Sequence, residues 1–175
     1  MPNKKVLMVI AHQFFRDEEY FEPKEVFEDN GIKVVTASSE TGTAIGKLGR
    51  EARVDVLLDD IDIKPYCAII FVGGPGCKEF WDDLEAHRII REVFEDGKIV
   101  AAICSATVIL ARAGILDGKY ATCFKGDSEE ITKTGAIYTG NSVEQNGMII
   151  TADGPASALE FGTKIVDTIR NTSFI

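Results

Sequence analysis

Lys98-Ile-Val-Ala-Ala-Ile-Cys104-Ser-Ala-Thr-Val-Ile-Leu-Ala-Arg112 decides the fold. Ile99 to Ile103 is unbrokenly apolar and rich in β-branched residues, as a central parallel strand covered on both faces must be. Ser105 to Arg112 reads as a helix of small and aliphatic residues, stopped at Gly114. Cys104 falls on the joint. A side chain on a tight strand-to-helix turn stands at the carboxyl edge of the sheet, beside the free amides of a helix N-terminus. Those amides and the helix dipole favour an anion, so a thiol there is expected to lean toward thiolate. The plainer reading of the same residue is a small core side chain, because free cysteine is among the most buried residue types. Local pattern alone leaves the two readings level.

Upstream, Val6 to Ile10 is an apolar strand. A helix runs from Asp17 to Gly31, with Pro23 near its first turn or kinking it, and Ile32 to Ala37 is a second strand. Such a βαβ start signals an α/β sheet. Ser38 to Gly49 reads as loop or hairpin, and Val54 to Leu58 as a strand. The run Asp59, Asp60, Asp62 reads as a solvated acidic turn rather than a cation site, since no EF-hand loop is present. Tyr66 to Val72 is a buried strand running into Gly73-Gly74-Pro75-Gly76. That glycine cluster is either a plain turn or a corner whose amides hold an oxyanion next to Cys104. A helix over Trp81 to Asp96 covers the sheet with Leu84, Ile89, Ile90, Val93 and Phe94, and His87 on it is expected at the surface.

Downstream, Lys119 to Phe124 is a short strand. Ile137-Tyr-Thr leads into a hairpin over Ser142 to Thr151, where Asn146-Gly147 predicts a type I′ turn. Gly154-Pro155 opens the last helix, with Leu159, Phe161, Ile165, Val166 and Ile169 at helical spacing. The loops after Ile10, Val72 and Ile103 should meet at the carboxyl edge, where open α/β sheets keep their sites.

Composition narrows the function classes. The chain has 175 residues, 45% hydrophobic and 27% charged, with net charge −9. This fits one domain, over residues 3–172, with a core large enough to need no staple. An acidic balance argues against nucleic acid. No apolar run is long enough to span a membrane, and Met-Pro-Asn-Lys-Lys leads straight into a strand rather than a signal peptide, so a cytoplasmic location is expected. The four cysteines, Cys67, Cys77, Cys104 and Cys123, form no C-x-x-C pair and only two histidines are present. No metal or cofactor is expected, and the thiols should stay reduced in that compartment.

The chain resembles the DJ-1/PfpI (ThiJ) superfamily. The resemblance is carried by Lys5-Val-Leu-Met-Val-Ile, Asp17-Glu-Glu19 leading to Pro23, Phe71-Val-Gly-Gly-Pro, Ala101-Ala-Ile-Cys104-Ser, and Ser142-Val-Glu through Ile150-Thr-Ala-Asp-Gly-Pro to Glu160-Phe. It implies a flavodoxin-like three-layer sandwich, a mostly parallel sheet with helices on both faces and a β-hairpin, in a homodimer or higher homo-oligomer. It implies Cys104 as functional centre and Glu19, four residues before Pro23, as its hydrogen-bonding partner. Read alone, Glu19 would be an exposed helix residue. A carboxyl against a thiolate must be protonated, its pKa raised by burial and like charge. The amides near Gly74 and Ser105 become the anion-stabilising donors.

The departures bear on the chemistry. Family members acting as proteases or amidases carry histidine directly after the cysteine; here it is Ser105. In another branch a histidine comes from the later strand; here that position is Cys123. The intracellular peptidase or amidase alternative is weakened accordingly. What remains is a thiol acting on small electrophiles, either aldehydes in glyoxalase or deglycase-like chemistry or peroxide in an oxidative-stress response. A further alternative is a non-enzymatic chaperone-like or regulatory redox module. Cys123 and Cys77 are candidate redox partners of Cys104, all three facing one pocket; alternatively Cys123 merely fills the histidine's space.

Overall fold

The computed structural model describes residues 3–59 and 61–174. Met1, Pro2, Asp60 and Ile175 lie outside the described residues, and with them the start of the N-terminal stretch and the middle of the acidic turn. The central strands are β1 (Lys5–Val9), β3 (Lys33–Ser38), β6 (Val56–Leu57), β7 (Ala68–Phe71), β8 (Ile99–Ile103), β11 (Val143–Asn146) and β12 (Ile149–Ala152). They form a sheet in the order β11-β12-β8-β7-β1-β3-β6. All neighbours are parallel except the β11–β12 hairpin at one edge.

The helices are α1 (Asp17–Asp29), α2 (Leu84–Glu95), α3 (Thr107–Arg112), α4 (Ser128–Thr132) and α5 (Ala158–Asn171). α1 packs on α5, α2 packs on α3, and β8 is touched by both pairs. Every residue of β8 is buried. Since successive strand side chains point to opposite faces, the two helix pairs must cover opposite faces. The result is an α/β sandwich of flavodoxin type. Gly162 makes the α1–α5 contact close: a Cβ there would stand 3.0 Å from the Pro23 Cα. Pro23 has no N–H to give the carbonyl four residues back, which is that of Glu19.

β1 winds to β3 on one side, whereas β7 and β8 lie on the other. The switch in winding direction therefore opens a crevice above the ends of β1, β7 and β8. The loops after Ile10, Val72 and Ile103 converge there, as expected. A second sheet of β2 (Gln13–Phe15), β4 (Gly42–Gly46) and β5 (Glu51–Val54) flanks this edge. A two-residue sheet, β9 (Tyr120–Ala121) beside β10 (Ile137–Tyr138), lies beyond β11.

Several sequence expectations need correction. Val54 to Leu58 is two strands in two sheets, because Asp55 breaks out to accept the Thr36 amide at 2.9 Å. The second helix starts at Leu84, not Trp81, where Asp83 caps it by accepting from the Glu85 amide at 2.9 Å. Leu84 and Leu159 are exposed, each in the first turn of its helix. His87 is buried rather than at the surface, its Nε2 2.8 Å from the Trp81 carbonyl. The strand over Lys119 to Phe124 shrinks to β9. In the β11–β12 hairpin Asn146 pairs with Ile149, so Gly147 and Met148 form the turn. Only Gly147 has positive φ, the pattern of a type II′ turn rather than I′. Among the described residues, no helix is long and apolar enough to cross a membrane.

Candidate active site

Cys104 ends β8 with φ 61°, a left-handed conformation that L-residues rarely hold. The chain leaves the strand through a tight 3-10 turn, Cys104–Ala106, and becomes α-helical only at Thr107. Asn3 and Phe14 are the other non-glycine residues at positive φ among the described residues. Phe14 approaches the same corner, since a Cβ on Gly74 would meet its carbonyl oxygen at 2.7 Å. Backbone strain thus gathers around Cys104, as at sites where geometry is imposed by packing.

Gly73 and Gly74 let three segments close on one point. A Cβ on Gly73 would stand 2.6 Å from Glu19 Oε1, 2.7 Å from the Ile103 carbonyl and 2.8 Å from the Cys104 Cβ. Gly74 has φ 104°, and its Cα faces the backbone of Phe14 to Arg16. The Arg16 amide closes that contact by donating to the Gly73 carbonyl at 2.8 Å.

Glu19 is wholly buried, and neither carboxyl oxygen has a hydrogen-bond partner of ordinary geometry. A carboxylate left like that is costly. Burial pushes Glu19 up to about 8, against the smaller pull of its contact with Cys104 and of the Arg16 charge. The acid therefore keeps its proton at neutral pH, with the Cys104 sulfur beside it. Cys104 itself is 9% exposed. Burial pushes its thiol up to about 12, the Glu19 charge adds to this, and the Ser105 amide and hydroxyl oppose it. The expectation that a helix N-terminus alone biases Cys104 to thiolate is thus corrected: burial outweighs the amides. Glu19 and Cys104 titrate as a pair, and once the first proton leaves, the remaining one serves both.

The pocket outside Cys104 has a volume of about 390 Å³ and is walled by Arg16, Lys47, Gly74, Pro75, Lys78, Ser105, Phe124, Asp127 and Pro155. Gly74 and Ser105 both line it. Ser105 is held from behind by the Trp81 indole, which donates to its carbonyl at 2.9 Å.

Cys77 and Cys123 are fully buried and absent from the pocket wall, so the three thiols do not share one cavity. Cys77 lies close enough to feel the Cys104 and Glu19 charges, and burial raises it strongly. Cys123 is pushed up to about 12 by burial and by Asp127, and it donates to the Phe124 carbonyl. Neither histidine lines the pocket. His12 Nε2 is 3.0 Å from the Thr41 carbonyl, and His87 serves Trp81. Among the described residues, no cluster of three or more His, Cys, Asp or Glu side chains could hold a metal.

Reading the sequence missed Asp127 and the cationic wall. Asp127 occupies the N-cap position of α4, yet its side chain makes no capping bond and its buried Oδ2 has no partner. An N-cap aspartate ordinarily bonds the first helical amides. Here Oδ2 is buried instead, and the carboxyl acts on Cys77 and Cys123.

The DJ-1/PfpI family model matches residues 4–168. The chain belongs to the DJ-1/PfpI family. The uncharacterized protein MJ0967 of Methanocaldococcus jannaschii is 43% identical over 99% of this chain and 86% of its own length. Deglycase PH1704 of Pyrococcus horikoshii is 29% identical over 95% of this chain and 99% of its own length. Glutathione-independent glyoxalase DJR-1.2 of Caenorhabditis elegans is 29% identical over 95% of this chain and 89% of its own. Among solved structures, a ThiJ/PfpI domain protein from Brachyspira murdochii superposes with a TM-score of 0.96. It is 36% identical, covering 99% of this chain and 100% of that one.

Proposed function

We propose that this DJ-1/PfpI protein is a Cys104-dependent enzyme acting on small reactive aldehydes, with chemistry of the glyoxalase or deglycase kind. The observation that carries it is a strained, pocket-facing cysteine with a buried, protonated carboxyl against its sulfur. The names of two relatives, a deglycase and a glyoxalase, point the same way. A 2-oxoaldehyde is the simplest substrate that uses both Cys104 and Glu19.

In that reaction the Glu19–Cys104 pair first gives up one proton to solvent, and the Cys104 thiolate adds to the aldehyde carbon. The C–S bond forms as the C=O π bond breaks, and the oxygen takes the remaining proton from Glu19, leaving a hemithioacetal and a carboxylate. The carboxylate then moves the proton on that carbon to the neighbouring ketone carbon while the hydroxyl proton passes to the ketone oxygen, giving the thioester of a 2-hydroxy acid. Water cleaves the acyl–sulfur bond, releases the acid and restores the thiol and the Glu19 proton. No oxidant or reductant is consumed. The amides of Gly74 and Ser105 are the donors for the developing oxyanion.

The peptidase alternative has less support, because no histidine lines the pocket to act as base. A cytoplasmic location and a homo-oligomeric assembly go with this reading, and light scattering tests the second. The deciding experiment is methylglyoxal turnover by the wild type and Cys104→Ala. Turnover confined to the wild type supports the proposal, and equal or absent turnover in both removes it.

A further inference from the structure

The charges on the pocket wall are the reverse of those on the chain. The protein carries a net −9, yet the charged side chains that line the pocket outside Cys104 are Arg16, Lys47, Lys78 and one acid, Asp127, with Glu19 behind the sulfur and protonated. Lys47 and Lys78 make no ion pair among the described residues, although the chain has 28 acidic residues to offer them. Arg16 is shared with Glu18 at 2.7 Å.

The side chains of Lys47 and Lys78 are exposed, but buried bonds fix the backbone that carries them. The Asp17 carboxylate, 2% exposed, accepts from the amides of Leu48 at 2.8 Å and Arg50 at 3.0 Å. The Lys47 amide donates to the Phe15 carbonyl at 2.8 Å, so the turn carrying Lys47 is clamped to the start of α1. Lys78 stands 5.1 Å over the Trp81 ring, whose indole holds Ser105. The Arg16 amide is bonded to Gly73.

The two lysines are not spent on the sulfur. The groups acting most strongly on Cys104 are Glu19 and Ser105, and neither lysine is among them. A neutral oxoaldehyde would leave both without a charge of opposite sign. We propose that the electrophile this pocket is built to take is anionic: a small carbonyl compound whose carboxylate or phosphate is held by Lys47, Lys78 and Arg16 while its carbonyl carbon meets Cys104. This deepens the function proposed above and rests on Cys104 being the nucleophile.

The test compares two alkylating agents of similar size and opposite demand. Cys104 in the full chain is labelled with iodoacetate, an anion, and iodoacetamide, which is neutral, at about pH 8 where the Glu19–Cys104 pair starts to lose its proton. Labelling is read by peptide mass, with glutathione as reference thiol. The expected iodoacetate-to-iodoacetamide rate ratio at Cys104 exceeds that of glutathione by about fivefold or more. It falls back in Lys47→Gln/Lys78→Gln and in about 0.5 M salt, and inorganic phosphate protects against iodoacetate. Lys78→Glu lowers the ratio further. A ratio equal to that of glutathione, or one unmoved by the lysine variants, overturns the inference. Charge-selective labelling without methylglyoxal turnover leaves the inference standing and removes the proposed catalysis. Labelling by neither reagent removes both.

Discussion

Gly73 and Glu19 are in contact through an absent side chain: a Cβ on the glycine would stand 2.6 Å from the Glu19 Oε1. The glycine is therefore the floor on which the acid and the cysteine are brought together. Neither the Ile103 carbonyl nor the Cys104 Cβ, the other atoms a methyl would strike, can rotate away. Gly73→Ala is expected to cost about 2 kcal/mol or more in denaturant unfolding, and to slow Cys104 alkylation at least tenfold. Wild-type stability and reactivity in the variant would contradict this contact.

The protonated state of Glu19 sets the sign of a pH effect on reactivity. As an acid it donates to the thiolate, and glutamine is a weaker donor in the same place. The inflection of iodoacetamide labelling at Cys104 is thus expected to move to higher pH in Glu19→Gln. Movement to lower pH would mean that Glu19 is ionised and repels the sulfur.

Stability carries the same signature. Burial raises Glu19 in the fold, while in the unfolded chain it ionises near the ordinary carboxyl value of 4.5. Between about 4.5 and about 8 the folded state holds the extra proton, so rising pH destabilises it across that window and the effect levels off above. The penalty at pH 8 is of the order of a few kcal/mol. Glu19→Gln should flatten the decline in Tm from pH 5 to pH 8 and be the more stable form at its upper end.

Asp127 shows the opposite trade. Its Oδ2 is unpartnered, and its charge pushes against Cys77 and Cys123. Asp127→Asn removes that charge and leaves a good capping residue for α4. It is expected to leave stability unchanged or raise it by roughly 1 kcal/mol while reducing aldehyde turnover. Chemical denaturation beside steady-state kinetics separates the two effects.

Mild peroxide should oxidise Cys104 without cross-linking it. Cys77 and Cys123 are buried thiols outside the pocket with raised pKa values, poorly placed to attack a sulfenic acid. Intact mass is expected to rise by two oxygens. A loss of two hydrogens, marking a disulfide, would restore one of them as a redox partner.

The fold was legible because strands such as Ile99 to Ile103 and Ala68 to Phe71 are apolar throughout and the segments between them carry glycine stops. Periodicity failed at helix starts: Leu84 and Leu159 match the apolar face by spacing but are exposed. It also failed for His87, whose burial depends on the Trp81 carbonyl and not on any local pattern. Cys104 could be found because its signal is a junction within one short stretch. Glu19 needed the resemblance, since nothing nearby marks a glutamate as buried. Arg16, Lys47, Lys78 and Asp127 come from four separate segments that only the assembled sheet edge brings together.

Asp17 and Glu19 sit two residues apart on α1, one clamping the turn that carries Lys47 and the other leaning on Cys104. Reaction and recognition are therefore hung from a single turn of helix but by separate hooks. Exchanging the Lys47 hairpin through evolution or engineering can retune which molecules are admitted while the reacting sulfur and its acid stay untouched.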